Sequence, residues 1–131
     1  MPQIRSKARV HRGVTVAARV LVVDDDPDAR EMLSQLLTSE GFVTETACNG
    51  QEALDRVRVS PPSLIVLDMM MPVMDGWMFC AHRRYDPALA AIPVVILSAA
   101  PISRLQNVGA SAVLQKPFEF DDLLSVIRSN C

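Results

Sequence analysis

Three carboxylates in a row, Asp24, Asp25 and Asp26, stand directly after the apolar run Val20-Leu21-Val22-Val23. Asp68, Ser98 and Lys116 each follow an apolar run of their own. Like charges a few ångströms apart repel, so such a cluster either keeps a proton or is neutralised by a cation. Oxygen donors with no histidine nearby select a hard ion, Mg2+ ahead of any transition metal. Asp26 has a plainer use, because an aspartate directly before Pro27 suits a helix N-cap. A carboxylate left partly free beside such an ion can attack phosphorus and form an aspartyl phosphate. An ammonium and a hydroxyl, as on Lys116 and Ser98, are the groups that would neutralise and hydrogen-bond the oxygens of the added group. No glycine-rich phosphate loop is present, so the donor must be small or supplied by another protein.

The elements that must position these residues alternate between short β-rich apolar runs and segments of helical period, the pattern of a parallel α/β sheet. Arg19 to Val23 reads as a strand covered on both faces. A helix follows from Pro27, with Ala29, Met32, Leu33, Leu36 and Leu37 on one stripe, until Gly41 ends it. Phe42 to Ala47 alternates as a less buried strand. Asn49-Gly50 turns into a helix closing near Val59, ahead of Pro61-Pro62. Ser63 to Leu67 is a third strand delivering Asp68, and a helix from Asp75-Gly76 runs to about Tyr85. Pro93 to Leu97 is a fourth strand ending at Ser98, a short helix lies near Ile102 to Val108, and Ser111 to Gln115 is a fifth strand ending at Lys116. The final helix carries Phe120, Leu123, Leu124 and Ile127. The chemically capable residues therefore share the carboxyl edge of the sheet, where open α/β folds bind ligands.

The chain has 131 residues, enough to bury one continuous core without disulfides. Its formal charge of −2 hides an asymmetry. Arg5, Lys7, Arg9, Arg12 and Arg19 meet no acid in residues 1–19, whereas the remainder is acidic. Residues 1–17 are expected to form a disordered basic leader and residues 18–131 the domain. Scattered charges of this kind are a weak nucleic-acid footprint, so no nucleic-acid contact is assigned to the domain. Arg19 interrupts the apolar stretch from Val14 to Val23, which argues against a cleavable signal. Cys48, Cys80 and Cys131 lack metal-ligand spacing and read as reduced thiols of a cytoplasmic protein. No stretch is long and apolar enough to span a membrane.

Together, Val-Leu-Val-Val-Asp24-Asp25-Asp26-Pro27, Leu-Asp68-Met-Met-Met-Pro72 with Met74-Asp75-Gly76, Pro93-Val-Val-Ile-Leu-Ser98-Ala99, Gly109-Ala110 and Lys116-Pro117-Phe118 form a specific pattern. From about residue 18 to residue 129 the chain resembles the receiver domain of bacterial two-component response regulators, of the chemotaxis type. The resemblance implies a three-layer, doubly wound, flavodoxin-like fold with strand order 2-1-3-4-5 and five helices. It implies Asp68 as phospho-acceptor. Mg2+ would be held by Asp25, Asp68 and the Met70 backbone carbonyl, with Asp24 acting largely through water. Lys116 would contact the phosphoryl group, with a cis bond to Pro117, and Ser98 would be the switch hydroxyl. The partners implied are a histidine kinase or histidine phosphotransfer protein, and a downstream protein of unknown identity. The protein would be a signalling phospho-acceptor rather than an enzyme.

Three positions depart from that pattern. Only 13 residues, Ser98 to Ala110, separate strands four and five, so helix four is expected to be short, about two turns, with Pro101 stiffening its start. Val113 stands three residues before Lys116, where the family often carries a reporting aromatic. Met70 stands two residues after Asp68, and with Ala100 two past Ser98 it leaves no side chain to orient attacking water. Met70 also argues against a haloacid-dehalogenase-type phosphatase, which needs a second aspartate there. A pseudo-receiver that keeps the fold without the chemistry is the remaining alternative. Met69, Met70, Met71, Met74 and Met78 read as flexible packing around the Asp68 loop.

Overall fold

Two alternating sets of apolar side chains along the central strands place one core on each face of a sheet. In the computed structural model, which describes residues 8–11, 14–105 and 107–131, the elements in chain order are β1 (Ala8–His11), β2 (Val14–Ala17), β3 (Arg19–Val23), α1 (Pro27–Ser39), β4 (Val43–Ala47), α2 (Gly50–Val59), β5 (Leu64–Asp68), α3 (Gly76–Arg84), α4 (Pro87–Ala90), β6 (Val94–Ser98), a 3-10 turn (Ile102–Leu105), β7 (Ala112–Gln115) and α5 (Phe120–Asn130). Five strands form a parallel sheet in the order β4-β3-β5-β6-β7, which is the 2-1-3-4-5 order anticipated for the domain.

Leu21, Val23, Ile65, Leu67, Val94 and Ile96 face Ala53, Leu54 and Val57 of α2 and Phe79 and Cys80 of α3. Val20, Val22, Leu64, Val66, Val95 and Leu97 face Leu33 and Leu37 of α1 and Leu123, Leu124 and Ile127 of α5. A parallel sheet covered on both sides needs strands apolar at every position, and β3, β5 and β6 supply them. β4, at the edge, is largely uncovered until Ala47. Burial of the Cys80 thiol, carried by α3 into the core, pushes its pKa up to about 11.

Close backbone approach fixes the loop after Asp68. The Gly76 amide donates to the Met69 carbonyl at 2.9 Å, and a Cβ at Gly76 would lie 2.7 Å from Met69 Cα. The Gly50 amide donates to the Met74 carbonyl at 2.9 Å, and a Cβ there would meet that oxygen at 2.7 Å. Both glycines serve as the openings of helices that must touch this loop. Of the methionines, Met69, Met71 and Met74 are buried in the loop's packing, while Met70 and Met78 are exposed.

Two expectations are corrected. The β6–β7 crossover is shortened as expected, but among the described residues its regular part is the 3-10 turn Ile102–Leu105 rather than two helical turns. Pro101 accepts from the Arg104 amide, and Leu105 and Val108 turn inward to reach the core, leaving too few residues for a second turn. An additional short helix, α4, follows α3, capped by Asp86, whose side chain accepts from the Ala88 amide. Residues 8–11 and 14–17, assigned in sequence to a disordered leader, contain the antiparallel pair β1–β2. Arg5, Lys7 and Arg12 lie outside the described residues.

In place of a longer crossover helix, α3 holds the segment. Arg83 donates from Nη1 to the Gly109 carbonyl at 3.0 Å, from Nη2 to Ala90 at 3.2 Å and from Nε and Nη2 to Ile92 at 3.1 and 2.8 Å. Arg84 Nη2 donates to the Asn107 carbonyl at 2.5 Å. Gly109, at φ +78°, sits where only a residue without Cβ turns freely. Arg83→Ala should therefore lower unfolding free energy by about 1–3 kcal/mol, the range for losing hydrogen bonds from a charged donor. It should also speed amide exchange in residues 107–111. Arg83→Lys, which lacks the fork, should restore less than half. Denaturant unfolding identical to wild type in both variants would mean the clamp carries no weight.

Candidate functional site

Each chemically capable side chain is delivered by the end of a strand of the parallel sheet. Asp24 and Asp25 directly follow β3, β5 ends in Asp68 and β6 in Ser98, and Lys116 follows β7. Registers pair Val23 with Leu67, Asp68 with Leu97, and Ser98 with Gln115, so the ends lie side by side on one edge.

One carboxylate oxygen from each of Asp24, Asp25 and Asp68 lies within 4.8 Å of the others. Asp24 and Asp68 are buried, 4% and 6% exposed, while Asp25 is exposed. Asp26, the third of the run, is the N-cap of α1, and its side chain accepts from the Asp28 amide at 3.0 Å. The Lys116 ammonium donates to Asp68 Oδ1 at 3.3 Å. The bond between Lys116 and Pro117 is cis, as the resemblance implied, and the Lys116 amide donates to the Ser98 carbonyl at 2.8 Å. Ser98 is 1% exposed, and its hydroxyl accepts from the Ala100 amide at 3.0 Å. The Met70 side chain is exposed, 64%.

Burial holds the Asp24 carboxyl above its ordinary value, and the neighbouring Asp68 and Asp25 charges push the same way. The Asp26 amide, donating to Asp24 Oδ1 at 2.9 Å, and the Lys116 ammonium oppose that shift. One ammonium against three carboxylates leaves the cluster short of positive charge. A hard divalent cation with oxygen bonds of about 2.1 Å spans oxygen pairs up to about 4.2 Å apart. The three oxygens thus need only a small contraction to hold one, and the all-oxygen donor set fits that ion class.

Sequence reading missed Arg30, whose Nη1 donates to the Asp24 backbone carbonyl at 2.7 Å. Its only sequence signal is a cation at the start of a helix, where the dipole disfavours one. Beside the carboxylates, a groove of about 400 Å3 opens between α1 and the segment after β7, lined chiefly by Met32, Leu33, Leu36, Pro117, Phe118 and Phe120. A groove of about 460 Å3 on α2, α3 and α4, lined by Arg58, Met78, His82 and Tyr85 among others, lies away from the carboxylates and brings no comparable chemistry together. No helix among the described residues is long and apolar enough to cross a membrane.

These observations agree with what the chain is similar to. Residues 20–128 match the model of the response regulator receiver domain. The DNA-binding response regulator MtrA of Mycolicibacterium smegmatis is 38% identical over 120 residues, covering 88% of this chain and 51% of the relative. The response regulator Rre1 of Synechocystis is 36% identical and half covered, so the chain spans about half the length of the curated relatives it matches. Among solved structures, the chemotaxis protein CheY4 of Vibrio cholerae superposes with a TM-score of 0.80 at 32% identity, covering 88% of this chain and all of that one. The response regulator TrrA of Thermotoga maritima, solved with Mg2+ and beryllofluoride, superposes with a TM-score of 0.79 at 31% identity over 87% of this chain and 99% of that one. A matching family model over most of the chain, relatives above 30% identity and the same strand order make this chain a member of the response regulator receiver domain family.

Proposed function

We propose that the chain accepts a phosphoryl group on Asp68 from a histidine kinase or histidine phosphotransfer protein, and that this modification switches binding of a downstream protein. The observation that carries the reading is the convergence of three carboxylate oxygens within 4.8 Å with the Lys116 ammonium 3.3 Å from Asp68. Asp24, Asp25, Asp68 and the Met70 carbonyl would hold Mg2+, which supplies charge neutralisation for the incoming phosphoryl oxygens.

The chain's own groups do the rest. A carboxylate oxygen of Asp68 attacks phosphorus, and the bond from phosphorus to the donor's nitrogen breaks, the electron pair leaving on that nitrogen. Lys116, already aimed at Asp68, stabilises the added negative charge. Ser98 would exchange its bond to the Ala100 amide for a phosphoryl oxygen, which couples the modification to the β6–β7 crossover. The apolar groove beside Asp24 and Lys116 offers a donor protein a surface to bury against, in keeping with a site that has no nucleotide cradle of its own.

Incubation with acetyl phosphate and Mg2+, followed by intact mass, should add one phosphoryl group to wild type and none to Asp68→Asn. Catalytic release of phosphate would instead indicate a phosphatase, and no addition to either protein would leave an interaction module with the fold alone. Because neither Met70 nor Ala100 can orient a water, the aspartyl phosphate should persist for minutes or longer. Met70→Gln should shorten that lifetime several-fold; loss of label from wild type within seconds would contradict the idea.

The metal-free protein should carry a pH signature. An acid whose folded pKa is raised contributes its stability below the unfolded value of 3.8 and loses it as pH rises through the folded value. Once ionised, Asp24 therefore works against folding. Mg2+ should raise the melting temperature strongly near pH 7–8, and the gain should shrink as pH falls toward about 4, where protons compete for the same carboxylates. Asp24→Asn should raise the metal-free melting temperature and blunt the response to Mg2+. A Mg2+ effect independent of pH would argue against this site.

A further inference from the structure

Asp24 is held at three points. Its amide donates to the Ala47 carbonyl at 3.1 Å, its Oδ1 accepts from the Asp26 amide at 2.9 Å, and its carbonyl accepts from Arg30 Nη1 at 2.7 Å. The first tie continues the pairing of β3 with β4, and the second belongs to the turn into α1. The third is made by a side chain from a helix start, where a cation opposes the helix dipole. Arginine is a good helix former, but neither the helix dipole nor core packing accounts for a cation at this end.

The position of that bond gives it a use. The Asp24 carbonyl belongs to the peptide unit joining Asp24 to Asp25, and a peptide unit is rigid, so fixing its oxygen fixes the plane from which both residues depart. Asp25 is exposed and, among the described residues, no side-chain hydrogen bond holds its carboxylate. Its aim toward the other two oxygens rests on the backbone alone. A rotation of this peptide would turn the Asp25 carboxylate relative to the other members of the 4.8 Å cluster.

We propose that Arg30 is a positioning residue: by holding the Asp24 carbonyl it sets the direction in which Asp24 and Asp25 present their oxygens to a divalent cation. The inference rests on the Mg2+-dependent receiver reading given above. Groups behind metal ligands that orient them are typically worth a factor of 10–100 in metal affinity. Arg30 is expected to act at the lower end, because it grips backbone rather than a ligand oxygen.

The test is a calorimetric titration of Mg2+ into wild type, Arg30→Ala and Arg30→Lys, with the melting temperature of each measured in EDTA. Arg30→Ala should bind Mg2+ about tenfold more weakly. Arg30→Lys, which keeps a donor without the fork, should recover part of that loss. The metal-free melting temperatures should stay within a few degrees of one another. A variant that melts lower in EDTA yet binds Mg2+ like wild type would show that Arg30 only supports the helix, and would overturn the proposal. Acetyl phosphate labelling of the same proteins separates the two readings. Weakened Mg2+ binding in the variant with no phosphoryl uptake by wild type would sustain Arg30's role and remove the receiver function. Wild type that binds no Mg2+ would overturn both.

Discussion

Mutual repulsion among three carboxylates at one sheet edge is the constraint around which the rest of this structure is arranged. Asp24 and Asp68 are taken almost fully out of solvent, and burial deprives a carboxylate of the hydration that would otherwise offset its neighbours. The fold tolerates this because the strands that deliver them are fixed by two apolar faces, so the site cannot relieve repulsion by splaying. Lys116 and the Asp26 amide answer part of the charge. The remainder is left uncompensated, and this is the charge that the proposed cation would neutralise.

The same constraint explains where flexibility is withheld. Gly50 and Gly76 bring α2 and α3 against the Asp68 loop at distances that leave no room for a Cβ, and Met69 and Met74 fill the space behind it. Val73 in that loop stands at φ 66°, with the Met74 amide donating to the Pro72 carbonyl at 2.7 Å, a tight turn that a β-branched residue adopts only under constraint. By contrast, the β6–β7 crossover has little regular structure of its own and relies on Arg83 and Arg84 of α3. Under the proposed function, with Val113 where an aromatic reporter would stand, a movement of Ser98 would pass directly into that crossover and from there to α3.

Sequence made the sheet legible because β3, β5 and β6 are buried at nearly every position, a pattern that admits few other readings. Asp24, Asp25, Asp68, Ser98 and Lys116 stood out for the same reason, since each lies at or just beyond the end of an apolar strand. The helices with caps written into them, Asp26-Pro27, Asn49-Gly50 and Asp75-Gly76, were bounded to within a residue or two. What stayed illegible depends on contacts between distant segments. The crossover's collapse into one 3-10 turn follows from how Leu105 and Val108 reach the core, and the grip of Arg83 on Gly109 spans 26 residues. α4 is four residues long, too short for periodicity to register. Arg30 carries no motif, and only the geometry of the turn into α1 brings it onto the Asp24 carbonyl.

In the proposed function Asp68, backed by a cation on Asp24 and Asp25, holds a tetrahedral phosphoryl group against Lys116. Beryllofluoride, which mimics that group on a carboxylate, tests it without a donor protein. Fluorine NMR of the protein with Mg2+ and beryllofluoride should give resolved bound resonances that saturate at one equivalent, vanish on chelation of Mg2+ and fail to form in Asp68→Asn. Only free fluoride and beryllofluoride signals from wild type at saturating Mg2+ would contradict the account.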